Sequence, residues 1–232
     1  MYGSSSSLRQ VLRRSRLFAR LGDSEIDAIL AHATVARQAE GDHIFAKGDP
    51  GNSLYAVCAG TVKISVPSAD GKDAVFNLVG EGEIFGEIAL LDGRPRTADA
   101  TAMTDCELMV IERRDFLDLV RSQPEIALKL MEVLCARLRH TSEQVEDVLF
   151  LDLPGRLAKI LLQLTETAKL PQARRVAITQ REIGQMIGMS RESTNKQLRD
   201  WEDRNWVRLE RGGVVVLEPD ALAALARARS ED

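Results

Sequence analysis

Residues 83–98 read Glu-Ile-Phe-Gly-Glu-Ile-Ala-Leu-Leu-Asp-Gly-Arg-Pro-Arg-Thr-Ala. Gly86 opens a short apolar turn of helix, Glu87 follows at once, and Arg96-Thr97 close the segment. Together they are a means of holding a sugar phosphate. Unpaired N–H groups at a helix start attract an anion. Arg96 can fork two donors onto phosphate oxygens, and Thr97 can add a hydroxyl. Glu87 can accept from a ribose hydroxyl without facing the phosphate. Gly-Glu or Arg-Thr alone is an ordinary surface turn; the combination inside a strand-rich segment is far more specific.

That segment runs from about Ala39 to Ile111. Short apolar or β-branched runs (HIFA, SLYAVCAG, TVKISV, AVFNLV, CELMVI) alternate with glycine turns at Gly41, Gly48/Gly51, Gly60, Gly71 and Gly80/Gly82. Strands so punctuated indicate a compact antiparallel barrel or roll. Ahead of it, Leu17, Leu21, Ile26, Ile29 and Leu30 recur at helical spacing, with Asp23 or Ser24 as a cap, and Ser4–Ser7 reads as a frayed terminus.

After Pro124, Ala127, Met131, Leu134, Leu138, Thr141, Val145 and Val148 are separated by 4, 3, 4, 3, 4 and 3 residues. This heptad pattern predicts one long helix with a seam facing a second copy of the chain. Thr141 puts a hydroxyl where leucine would pack better, so the seam has a polar task. Phe150-Leu-Asp-Leu-Pro-Gly155 ends the helix and starts another, with Asp152 as N-cap and Pro154 in the first turn. A polar loop, Lys169–Arg175, follows that helix.

Residues 179–198, TQREIGQMIGMSRESTNKQL, hold a second constellation. Thr179 with Glu182 forms a capping box, Gly188 permits a sharp turn, and Ser190 caps a second helix. Ile183, Ile187 and Leu198 can pack the two helices together, leaving Arg191, Glu192, Asn195 and Lys196 outward. This is a helix-turn-helix whose second helix reaches major-groove base edges. Beyond it, Trp206–Leu217 alternates around Gly212-Gly213 as a hairpin wing.

Composition agrees with a sensor joined to a DNA reader. Residues 1–150 carry 17 basic and 23 acidic side chains, a balance of −6, and residues 151–232 carry 14 and 12, a balance of +2. No apolar run approaches the roughly 18–20 residues that cross a bilayer, and MYGSSSSLRQ has no apolar signal stretch. Cys58, Cys106 and Cys135 have neither metal spacing nor a disulfide set, which predicts a reduced, cytoplasmic protein. No nucleophile–base pair or metal-ligand set argues for an enzyme.

With both constellations in this order and a heptad helix between them, the sequence resembles the cAMP receptor protein (CRP/FNR) family of bacterial transcription factors, in its cyclic-nucleotide-binding branch. The similarity runs from about Phe18 to Leu217 and is densest in FGEIALL…PRTA, RLRHTSEQV…FLDLPGR and TQREIGQMIGMSRESTNKQL. It implies an α+β protein: a cyclic-nucleotide-binding β-roll with N-terminal helices over 1–123, a dimerisation helix over 124–150 and a winged helix-turn-helix over 151–232.

The resemblance implies that Gly86, Glu87, Ile88, Ala89, Arg96 and Thr97 bind the ribose and cyclic phosphate, with Arg137 near the nucleotide. Thr141 of one subunit and Ser142 of the other would meet the purine, cyclic AMP in first place and cyclic GMP as alternative, with no metal. Gln180, Arg181, Ser190, Arg191, Glu192, Ser193, Asn195 and Lys196 would serve a palindromic double-stranded operator, with RNA polymerase as a further partner and no membrane. Three positions depart from the family pattern. Lys196 stands for Arg, which loosens guanine reading. Gln180 replaces a phosphate-contacting Arg, with Arg181 beside it, and Pro154 replaces a hydroxyl residue. The short loop Lys169–Arg175 puts the polymerase contacts in question.

An iron–sulphur sensor needs more cysteine ligands than these. For a haem sensor, His32 and His43 come too early, and His140 stands alone beside the seam. A ligand-independent regulator and a nucleotide-binding scaffold without DNA specificity remain as alternative readings.

Overall fold

The structure, a computed structural model, describes residues 5–15, 18, 21–67, 73–167, 175–176 and 178–227. Two helices, α1 (Ser5–Arg14) and α2 (Asp23–His32), precede β1 (Thr34–Gln38), β2 (His43–Phe45), β3 (Ser53–Ala59), β4 (Val62–Pro67), β5 (Asp73–Val79) and β6 (Ile84–Phe85). The short α3 (Glu87–Asp92) leads to β7 (Asp99–Ala102) and β8 (Cys106–Glu112), then α4 (Arg113–Ser122) and the long α5 (Pro124–Phe150). The strands form two antiparallel four-stranded sheets, ordered β1-β8-β3-β6 and β2-β7-β4-β5.

Period-two alternation explains the layering. Leu54, Ala56, Met109 and Ile111 point from β3 and β8 into a cluster with Phe18, Ile26, Phe116 and Ile126, so the helices cover one face of the first sheet. Val57 and Leu108, the opposite parity, meet Val62, Val79, Phe85 and Ala100 in a second cluster inside the roll. Gly41, Gly48, Gly60 and Gly82 all take positive φ, as tight turns between strands require.

Contacts divide the chain into two compact units, Met1–Leu138 and Arg139–Asp232. The second contains α6 (Leu153–Thr167), β9 (Arg175–Val176), α7 (Gln180–Ile187), α8 (Arg191–Asp203), β10 (Val207–Glu210), β11 (Gly213–Val216) and α9 (Pro219–Arg227), with a sheet ordered β10-β11-β9. Asp152 caps α6 by accepting from Gly155 N–H at 2.8 Å. Helix α9 packs on α6 so closely that a Cβ at Gly155 would stand 3.2 Å from the Leu225 carbonyl oxygen.

Several sequence expectations change. Ser5–Ser7 lie in the first turn of α1, and Arg9 and Arg13 of that helix pair with Asp23 and Asp27 of α2. Ser4, Leu17, Gly71 and residues 169–174 of the polar loop lie outside the described residues, and Arg175 already belongs to β9. Helix α2 is preceded by Gly22, not capped by Asp23 or Ser24; the Glu25 carboxylate reaches back to accept from Gly22 N–H. The strand region begins earlier, since β1 pairs with β8 from Thr34 to Gln38.

Of the expected seam, Met131, Leu138, Thr141, Val145 and Val148 are exposed, whereas the other two members are less open to solvent. Leu134 packs on the first cluster with Ile126 and Leu130, and Ala127 is half-buried. The exposed apolar side chains of α5 are Leu128, Met131, Leu138, Val145, Val148, Leu149 and Phe150. Up to Leu138, α5 therefore has two apolar faces, one spent on its own unit.

Candidate functional site: a phosphate cradle and a helix-turn-helix

β6 ends at Phe85, and Gly86 turns the chain into α3 with φ +82°. A Cβ at Gly86 would stand 2.6 Å from Arg96 Nη1, so the position needs glycine for shape as well as for conformation. Arg96 is only 4% exposed. Its Nη1 donates to the Gly86 carbonyl at 2.7 Å and its Nη2 to the Ser53 carbonyl at 2.8 Å. Its guanidinium carbon lies 4.2 Å from the Phe45 ring centroid and 5.6 Å from that of Tyr55. Burial pulls the Arg96 pKa below the ordinary arginine value, opposed by Tyr55 and Glu87.

Glu87 is 1% exposed and accepts through Oε1 from Arg137 Nη1, while Arg137 Nη2 donates to the Ile84 carbonyl. Four buried side-chain atoms among the described residues have no hydrogen-bond partner, and two of them, Glu87 Oε2 and Arg96 Nε, belong to the cradle; Gln123 Oε1 and Arg156 Nε lie elsewhere. Gly51, just before β3, approaches α3 so closely that a Cβ there would stand 2.1 Å from that of Ala89.

Gly86, Glu87, Ile88, Ala89, Arg96, Thr97 and Arg137 line one cavity of about 70 Å³, together with Phe45, Ile64, Phe85 and Ala98. The first seven are residues the sequence singled out. Thr141 and Ser142 are exposed on the part of α5 that belongs to the second unit and are not among that lining. The fork of Arg96, expected to be open, is engaged with the chain's own carbonyls. Phe45 and Tyr55 escaped the sequence reading. The aromatic residues in HIFA and SLYAVCAG were the available clue, whereas nothing local marks the Ser53 carbonyl.

In the second unit Thr179 caps α7, accepting from Glu182 N–H at 3.3 Å while Glu182 accepts from Thr179 N–H at 2.8 Å. Gly188 ends α7 at φ +71°, and Ser190 caps α8 by accepting from Ser193 N–H at 3.1 Å. The helices cross at Gly184, where a Cβ would stand 2.9 Å from Thr194 Oγ1. Ile183, Thr194, Leu198 and Trp201 are buried beneath.

Arg181, Ser190, Arg191, Glu192 and Lys196 are exposed, while Gln180, Ser193 and Asn195 are half-buried. The hydroxyls of Ser190 and Ser193 bond each other at 3.0 Å, so both belong to the helix start. The wing pairs Val207–Glu210 with Val216–Gly213 and is anchored to α8, where Glu202 Oε1 accepts from Leu209 N–H at 2.8 Å. β9 adds a third strand that the sequence reading did not include. Among the described residues no group of His, Cys, Asp and Glu could hold a metal ion, and no helix is long and apolar enough to cross a membrane.

Residues 37–123 match the family described as cyclic nucleotide-binding domain, and residues 155–225 match the Crp-like helix-turn-helix domain. Over 222 residues the chain is 36% identical to the CRP-like cAMP-activated global transcriptional regulator of Mycobacterium tuberculosis, covering 94% of this chain and 99% of that one. It is 31% identical over 220 residues to the cAMP-activated global transcriptional regulator CRP of Haemophilus influenzae, covering 93% and 98%.

Among solved structures, the c-di-GMP responsive global regulator CLP of Xanthomonas campestris is similar with a TM-score of 0.76 at 25% identity, over 84% of this chain and 99% of that one. The catabolite activator protein of Thermus thermophilus is 32% identical with a TM-score of 0.53, over 91% and 98%. The match covers nearly the whole length of each of these relatives. The chain belongs to the CRP/FNR family, as a cyclic-nucleotide-responsive, DNA-binding transcriptional regulator of dimeric architecture and not an enzyme.

Proposed function

We propose that the ligand is cyclic AMP, held by its ribose phosphate against α3, and that it switches a homodimer into its operator-binding geometry. The observation that carries this reading is the pair of buried, partnerless atoms on one cavity lining. Glu87 Oε2 is an acceptor suited to a ribose hydroxyl, and Arg96 Nε is a donor suited to a phosphate oxygen. Leaving such atoms unpaired costs about 1–3 kcal/mol each, and a ligand that satisfies both recovers it. Gly86, Ile88 and Ala89 bring backbone to the phosphate, Thr97 adds a hydroxyl, and Arg137 orients Glu87. The purine is met by Thr141 of one subunit and Ser142 of the other. The names of the M. tuberculosis and H. influenzae relatives support cyclic AMP over cyclic GMP.

On DNA, Arg191, Glu192 and Lys196 read base edges. Gln180, Arg181, Ser190, Ser193 and Asn195 set the helix on the backbone of a palindromic operator. The two recognition helices of the dimer then lie one DNA turn apart, about 34 Å. A full switch from mostly off to mostly on needs roughly 5.5 kcal/mol of differential binding, shared by two nucleotides. The dimer acts in the cytoplasm, with RNA polymerase as its partner at the promoter.

A DNA-selection assay run with cyclic AMP, cyclic GMP, cyclic di-GMP and no nucleotide tests this. Enrichment of one palindrome with cyclic AMP, lost in Arg96→Ala, is the expected result. Equal enrichment without nucleotide, or enrichment with cyclic di-GMP alone, overturns it.

A further inference from the structure

An arginine that must bind an anion needs to be held still without being neutralised. A carboxylate would hold it but cancel its charge; the face of an aromatic ring attracts the cation and carries no net charge. Arg96 is held in the second way. Its guanidinium lies over Phe45 at 4.2 Å and donates to the uncharged Gly86 and Ser53 carbonyls, while the carboxylates of Glu87 and Asp49 act on it only through space. Phe45 is itself packed against two rings, its centroid 5.7 Å from Tyr55 and 5.9 Å from Phe85, which stack at 4.9 Å; Tyr55 also faces the guanidinium, at the longer distance of 5.6 Å. The loop after β2 grips the same arginine by its backbone, since Arg96 N–H donates to the Asp49 carbonyl at 2.8 Å and Gly48 N–H to the Arg96 carbonyl at 2.9 Å. One strand and its loop thus supply both the ring and the rail on which the guanidinium sits.

We propose that Phe45 is a positioning residue for nucleotide affinity, its ring face fixing the plane of the Arg96 guanidinium while leaving the positive charge free for the cyclic phosphate. This rests on the reading that Arg96 meets the phosphate. The ring acts through its quadrupole, so its contribution follows the electron density of the face and not only its size. Ring loss frees the guanidinium to rotate away from its carbonyl partners, and binding weakens about three- to tenfold, the range that a cation–π contact supports.

The test replaces Phe45 in the full-length chain with mono-, di- and trifluorophenylalanine, which keep the shape of the ring while draining its face. Binding of cyclic AMP, cyclic GMP and cyclic di-GMP is followed by calorimetry. The Kd of the bound nucleotide should rise with each fluorine, to about threefold at three, and Phe45→Leu should lose at least as much, up to about tenfold. An unchanged Kd across the fluorine series overturns the proposal even if Phe45→Leu binds poorly or fails to fold, because the ring then serves only as packing. If the unmodified chain binds none of the three nucleotides, the underlying reading of the cavity is what fails.

Discussion

Glu87 and Arg137 stand 50 residues apart in the chain and form one ion pair, the carboxylate buried and the guanidinium partly open to solvent. The pair ties the first residue of α3 to the long helix α5, with Arg137 also bonded to the Ile84 carbonyl. Breaking such a pair on one side leaves an uncompensated buried charge.

Arg137→Met should accordingly lower the stability of the N-terminal unit by about 1–3 kcal/mol, the partial exposure of Arg137 keeping the loss below that of a fully buried pair. Urea unfolding measures it. The double variant Arg137→Met/Glu87→Gln, which removes the charge left behind, should recover most of the loss.

Gly51→Ala tests how tightly the loop before β3 presses on α3. The added Cβ meets that of Ala89 at 2.1 Å, so α3 must shift. Overpacking of this kind costs about 1–3 kcal/mol. Nucleotide affinity should fall with it, whereas the same change at Gly41, with nothing within 4 Å of its Cβ, should leave affinity untouched despite its positive φ.

Gly184→Ala should disturb the helix-turn-helix, because the new methyl lies 2.9 Å from Thr194 Oγ1 and 3.0 Å from the Met189 carbonyl oxygen. A loss of about 1–3 kcal/mol in the C-terminal unit is expected, with weaker operator binding. Adding Thr194→Ala removes one of the two clashes and should restore part of the DNA affinity in a gel shift.

Cys58 gives a pH prediction. Burial, reinforced by Glu107 and Glu81 and opposed by a hydrogen bond with the Met109 backbone, pushes its thiol from the ordinary 9.0 up to about 11. A raised pKa favours the neutral thiol in the folded chain. Its contribution is complete below about pH 9 and is lost as the pH climbs towards 11. The urea midpoint of the native chain should fall across that window more steeply than that of Cys58→Ala, and iodoacetamide should label Cys58 slowly at pH 8.

The parts of the molecule that repeat locally were legible in its sequence. Glycine turns and β-branched runs located β2 to β5 and β8, Thr179 with Glu182 located the start of α7, and the 4-3 spacing located α5. β6 has two residues and β7 is Asp-Ala-Thr-Ala, too short or too plain to stand out; their partners in β3 and β4 define them. The period of α5 was readable, and Met131, Leu138, Thr141, Val145 and Val148 are exposed as the spacing predicts; the packing of Leu134 on the core was not readable. Whether Leu134 or Leu128 faces outward depends on which side the core around Ile126 claims, a contact from distant sequence. The cradle residues were readable as a set. The engagement of Arg96 by a carbonyl 43 residues away was not, because a backbone oxygen leaves no mark on residue identity.

The close seating of α9 on α6 bears on how the DNA-reading unit is to be produced in isolation. Gly155 has no side chain to fill the space under Leu225, and Leu222 is wholly buried. A fragment cut after the wing at Leu217 would strip a greasy flank bare and should clump on purification. One carried through to Arg227 keeps that flank roofed and is the boundary to clone.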